Sequence, residues 1–169
     1  MILYVSVRCA PATRFGLIKL NKIIWKADFD AFAARGVPVT GRAYKRQKFG
    51  PVAREMPPVY SDMLRDGLIR VERIDFGEDI IEKRTIALTE PKLTNFTDDD
   101  LKFVGASISY YWYKTGMEAS DDSHGAAWSS RKNGDDMPYE TSYFSDEPLG
   151  LSQKLRLEDR MLERGWVSE

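Results

Sequence analysis

The sequence predicts a mainly helical α+β domain, with a central buried helix over residues 15–35, surrounding helices and a small antiparallel β-hairpin. Three observations predict it. Phe15 to Arg35 (FGLIKLNKIIWKADFDAFAAR) is an apolar helical run that stops at Gly36. Leu68 to Phe76 (LIRVERIDF) and Arg84 to Leu88 (RTIAL) are β-rich runs on either side of a polar connection containing Gly77, Glu78 and Asp79. Finally, 169 residues that are 43% hydrophobic and 12% aromatic against 30% charged carry enough apolar surface for one core and too little chain for two. Residues 1–169 therefore read as one domain.

Taken in order, Met1 to Ala10 fits neither the helical nor the strand period well and favours a short helix. Pro11-Ala12-Thr13 separates it from the central helix. There Lys19, Lys22, Lys26 and Asp30 form one polar stripe, while Leu17, Leu20, Ile24, Ala27 and Ala31 form a long apolar face. Such a helix has neighbours on several sides, and its polar stripe is expected to reach water. Asn21 and Asp28 fall in the apolar sector with Ile18, Trp25 and Phe32, so both need partners. Asp28 reads either as a buried carboxylate held by a basic side chain or backbone donors, or as a ligand-facing group in a cleft.

Val37 to Gly41 reads as a loop and Tyr44 to Phe49 (YKRQKF) as a short extended run ending at Gly50-Pro51. Pro51 suits the first turn of a helix over Val52 to Asp66, which Pro57-Pro58 must kink or break. Gly67 ends it, and the hairpin follows. Thr97 caps a helix carrying Asp98, Asp99 and Asp100 in its first turn, which explains the acidic cluster without a cation. Leu101 to Thr115 continues that helix to Gly116. The only histidine, His124, stands in Asp121-Asp122-Ser123-His124, read as a helix N-cap with His in the first turn. Asn133-Gly134-Asp135-Asp136 reads as a polar turn, and Leu151 to Gly165 as a charged amphipathic helix.

Several function classes drop out on the same evidence. No apolar run approaches the roughly 20 residues of a membrane span, and no leader pattern opens the chain, so the cytoplasm is the expected location. The single Cys9 makes no internal disulfide, and no Cys/His set stands at zinc spacing, so no metal is expected. There is no Walker loop, GxGxxG, HExxH or GxSxG, and no cofactor cradle. Charge is divided along the chain. Residues 1–54 hold 11 basic against 2 acidic side chains, and residues 55–169 hold 14 against 24. The basic part can meet an acidic partner, a nucleic acid or the acidic half of its own chain. Lys19, Lys22, Lys26, Lys45, Arg46 and Lys48 are the candidates for such a surface, with charge reversal at Lys22 plus Lys45 as its test. For Lys22 and Lys26 the alternative is a solvated helix face.

The order of motifs carries a resemblance. Lys19-Leu20-Asn21-Lys22, then Ala27-Asp28-Phe29, Gly36, Pro38, Thr40-Gly41, Tyr44 and Phe49-Gly50-Pro51-Val52 resemble the Panacea domain, also called the SocA-like antitoxin domain and often found in phage-associated proteins. Gly67-Leu68-Ile69 before a hairpin, Ser123-His124 followed by Trp128, and Gly165-Trp166 resemble its longer form. The resemblance spans about Ile2 to Trp166, and the Pro57-Pro58 pair departs from it. It implies an antitoxin that binds and neutralises a cognate bacterial toxin without catalysis. One branch of the family also delivers its toxin to an AAA+ protease. Leu20, Asp28, Phe49, Gly50 and Pro51 match structural motif positions. Tyr44, Phe49, His124 and Trp128 read either as packing that holds the GPV turn on the central helix or as partner contacts. Two rivals stand beside this reading: a DNA-binding regulator using the basic segment and hairpin, since a helix followed by a hairpin is also the plan of a winged helix, and a small hydrolase centred on His124 and Asp28.

Overall fold

Leu17–Arg35 forms the helix round which the rest is arranged. The computed structural model describes residues 1–78 and 80–144; the helix expected over residues 151–165 lies outside them. In chain order the elements are α1 (Ile2–Arg8), α2 (Leu17–Arg35), β1 (Tyr44–Gln47), β2 (Gly50–Ala53), α3 (Met56–Arg65), β3 (Ile69–Asp75), β4 (Ile81–Ala87), α4 (Asp98–Tyr111), α5 (Gly116–Asp122), α6 (Ala126–Ser129), β5 (Asp136–Met137) and a 3-10 turn over Tyr139–Tyr143. This is the α+β, mainly helical class expected, with α2 central.

Helix α2 ends as its sequence requires. Gly36 adopts φ 73° and returns its N–H to the Phe32 carbonyl at 2.8 Å. Leu20, Ile23, Ile24 and Ala27 pack with Ile2 and Val5 of α1, Phe15, Met56 of α3, Val104, Ile108 and Tyr111 of α4, and Ala119 of α5. The polar stripe behaves differently from expectation. Lys19 and Lys22 are each only 1% exposed. The chain leaving α4 covers Lys19, whose ammonium donates to the Arg14 and Trp112 carbonyls at 2.7 Å each. Strand β2 covers Lys22, which donates to the Pro51 carbonyl at 2.8 Å. Lys26 and Asp30, paired at 3.1 Å, keep the exposure expected of the stripe. Asn21 finds its partner locally, donating to the Leu17 carbonyl at 2.8 Å.

The Gly-Pro segment is a strand, not a helix start. β1 and β2 pair antiparallel across a tight turn at Lys48-Phe49, with Gln47 opposite Gly50 and Arg46 opposite Pro51. β2 is an edge strand of the β2-β1-β5 sheet, the place where a proline without a donor is tolerated. The helix expected from Val52 begins at Met56, with Pro57 in its first turn, where no N–H is needed. The second sheet is the expected hairpin, β3 on β4, with Ile69 opposite Ala87 and Asp75 opposite Ile81.

Helix α4 carries the expected cap. Thr97 and Asp100 form a reciprocal capping box, and Asp100 also pairs with Arg35, tying α4 to α2. Gly116 was expected to end this helix. Instead Tyr111 ends it and Gly116 opens α5, because Thr115 and Glu118 make a second capping box. Asp121-Asp122-Ser123 is consequently the end of α5, with Ser123 as its C-cap and His124 in the link to α6. The polar turn at Asn133–Asp135 leads into β5, a strand the sequence pattern did not suggest.

Candidate functional site

Three arrangements border the β1–β2 hairpin. The first is built on Asp28, fully buried on α2. One carboxylate oxygen accepts from the Thr40 backbone N–H at 2.6 Å; the other accepts from the Thr40 hydroxyl and from the Tyr44 hydroxyl at 2.7 Å. The Tyr139 hydroxyl lies 3.4 Å from that oxygen and donates to the Arg42 carbonyl at 2.7 Å. Phe29 closes the cage, with ring centroids 5.4 Å from Tyr44 and 5.1 Å from Tyr139. Burial pushes the Asp28 carboxyl above its usual range against the pull of these donors. The same burial, beside that carboxylate, holds Tyr44 well above the usual phenol range. Asp28 thus has the buried role anticipated, with hydroxyl donors where a basic side chain was one option. Tyr44, 3% exposed, presents nothing to a partner.

The second is a stack. The His124 and Trp128 rings lie 3.8 Å apart between centroids and 19° from parallel. The Arg46 guanidinium sits 3.6 Å from the Trp128 centroid, and the indole N–H donates to the Gln47 carbonyl at 2.9 Å. Burial lowers the His124 imidazole from its ordinary value, Asp121 opposes this, and Lys22 and Arg46 add to the lowering. The arrangement fastens α6 to β1. His124 and Asp28 do not converge on a common cleft, as a hydrolase on the two would need. Ser120 Oγ stands 3.5 Å from the imidazole Nε2.

The third is a groove of about 640 Å³ between the first half of α2, the β1–β2 turn, the start of β4 and the start of α5. Leu17, Ile18 and Val52 line it together with Phe49, Ile80, Ile81 and Met117, which are 44%, 48%, 47% and 53% exposed. Phe49, expected as packing, is therefore open to solvent, because it occupies the tip of the turn. Arg14, Lys48 and Lys83 also line the groove, and Lys22 lies beneath it. Among the described residues Glu82 is the one carboxylate in the lining, and it is already used: Oε2 accepts from the Phe15 N–H at 2.9 Å and Oε1 pairs with Arg84 at 2.9 Å.

Of the cations picked out by sequence, Lys48 and Lys22 belong to this groove. Lys45 stands opposite Asp136 in the sheet, Arg46 is in the stack, and Lys26 lies over the Tyr110 ring. Lys19 is buried beneath the Arg14 and Trp112 carbonyls, and Lys22 offers its charge through the groove floor. Charge reversal at Lys22 would bury a carboxylate, so it tests folding and not recognition. Ile80, Ile81 and Met117 were missed; their signal was an apolar pair beside a polar turn and a methionine after a glycine.

Among the described residues Lys22 has no carboxylate partner, and burial drives its ammonium down to about 7. Between pH 7 and its ordinary value the unfolded chain holds a proton that the native chain lacks, so stability from this group rises with pH. Urea unfolding should show the parent gaining roughly 2 kcal/mol from pH 7 to 9 relative to Lys22→Met, and Lys22→Met should be the more stable protein at pH 6. A less stable Lys22→Met at pH 6 would contradict the uncompensated charge.

Among the described residues no three His, Cys, Asp or Glu side chains stand together as a metal set, and no helix is long and apolar enough to cross a membrane. The family model described as "Antitoxin SocA-like, Panacea domain" matches residues 20–129, from α2 through α6. No curated protein and no solved structure matches the chain.

Proposed function

The chain belongs to the SocA-like antitoxin family of Panacea domains, and from that premise we propose that it neutralises a toxin encoded beside it by binding the toxin directly, in the cytoplasm and without turnover of its own. The observation that carries this reading is the family match over residues 20–129, which takes in the central helix, both hairpins and the Trp128 stack. Physical economy supports it. Neutralisation by capture needs a rigid scaffold and one specific interface with a few aromatic, apolar or arginine anchors. The internally fastened α2 supplies the first, and the exposed Phe49, Ile80, Ile81 and Met117 supply material for the second. Lys26, Lys45, Arg46, Lys48, His124 and Trp128 remain the polar and aromatic surface we assign to the partner's periphery. The motif Gly165-Trp166 further aligns the chain with the longer, phage-associated form.

Growth rescue tests the reading. The open reading frame adjacent to this gene, induced alone, should arrest growth, and co-expression of this chain should restore it. Rescue that persists in hosts lacking each AAA+ protease assigns neutralisation to blocking; rescue that disappears in one of them assigns the adaptor mode. A toxic neighbour that this chain leaves fully toxic would contradict the function itself.

A further inference from the structure

Resting on the antitoxin reading, we propose that the α2–β2–β4–α5 groove is the seat of the partner, and that it takes a segment of the toxin in which apolar side chains flank an aspartate or glutamate. The walls are apolar and open. Phe49 comes from a turn tip, Ile80 and Ile81 from the hairpin and Met117 from a helix start, so three separate parts of the chain leave four large side chains uncovered on one concavity. Scattered exposed apolar residues need no explanation, but convergence on a groove marks a recognition surface.

Charge selects the occupant. Arg14, Lys48 and Lys83 line the groove, and the buried Lys22 beneath it has no acidic partner among the described residues. Among the described residues the single carboxylate of the lining, Glu82, is spent on the Phe15 N–H and Arg84. The concavity is therefore positive with low-dielectric walls, which concentrates its field on an incoming carboxylate and disfavours a basic one. A carboxylate lodged there also holds the Lys22 ammonium in its charged form, a compensation that none of the described residues supplies.

The test uses the full chain immobilised against a phage-displayed library of short random peptides, followed by binding of the enriched peptides to substituted proteins. Enriched sequences should combine Asp or Glu with Leu, Ile, Phe or Met. Binding should weaken about tenfold or more in Met117→Glu and in Lys48→Glu with Lys83→Glu, and remain unchanged in Lys102→Glu, exposed on α4 outside the groove. Phe49→Ser should weaken it as well, and Lys22→Met should do so less. All these sites but Lys22 lie at the surface, and an unchanged thermal transition confirms that each variant is folded. No enrichment, enrichment of basic peptides, or equal binding to the groove variants would overturn the proposal. So would binding of a synthetic peptide of residues 145–169 in the groove, or self-association abolished by the same substitutions, since either assigns the groove to this chain. The rescue assay separates the two levels. A parent that rescues while Met117→Glu and the Lys48/Lys83 variant rescue equally well refutes the groove and leaves the antitoxin. A parent that fails to rescue refutes the antitoxin, while the peptide selection still reads the groove.

Discussion

Gly50→Ala is expected to cost about 3 kcal/mol or more, enough to leave a domain of this size marginally folded. Gly50 adopts φ +92°, and a Cβ there would lie 2.0 Å from the Ser123 hydroxyl and 2.6 Å from the Lys22 ammonium. Neither neighbour can yield cheaply. Ser123 Oγ donates to the Ser120 carbonyl at 2.6 Å, and Lys22 Nζ donates to the Pro51 carbonyl at 2.8 Å. The contact is the close approach by which β2 covers α2 and abuts the end of α5, so the substitution would part three elements at once. Gly36→Ala is the control. It has a similar positive φ but nothing within 4 Å of its Cβ, and should cost only the roughly 1 kcal/mol of left-handed backbone. Equal losses for the two variants in urea unfolding would show that the approach at Gly50 is not tight.

Asp28→Leu should lose about 3–4 kcal/mol, because it strands the Thr40 N–H, the Thr40 hydroxyl and the Tyr44 hydroxyl in an apolar cage. Asp28→Asn, which keeps one acceptor oxygen, should lose less. The pH dependence has a definite sign. Burial raises the native Asp28 pKa above the unfolded one, so its contribution to stability is complete below the unfolded value and declines as pH rises through the native value. The deficit of Asp28→Asn relative to the parent should therefore be larger at pH 4 than at pH 7. A deficit that grows with pH would mean the cage favours the carboxylate over the acid.

What the sequence disclosed was local. The α2 period, its stop at Gly36 and the Thr97 cap depend on neighbours within a turn or two, and each was legible. The elements that were misread depend on what lies across the chain. Lys19 and Lys22 look like a wet stripe until the Trp112 and Pro51 carbonyls arrive over them. Gly50-Pro51 resembles a helix start because its pairing with Arg46 and Gln47 is a property of the sheet. Asp121-Asp122-Ser123 has cap chemistry at either end of a helix, and only the Thr115–Glu118 box decides which end it occupies. The Asp28 cage was half legible: the need for partners follows from the apolar sector, whereas Tyr139, 111 residues away, does not. The groove was the least legible part, since its walls come from α2, β2, β4 and α5 and share no motif.

The central claim is capture of one protein by another in fixed proportion. Titrating the purified chain into a constant amount of the purified neighbouring toxin, with no protease present, reads it directly. The account predicts that toxin activity falls linearly and reaches its floor at a fixed molar ratio, with the two proteins co-eluting as one complex at that ratio. Loss of all activity at a small fraction of an equivalent, which requires turnover, or undiminished activity in excess of this chain would contradict it.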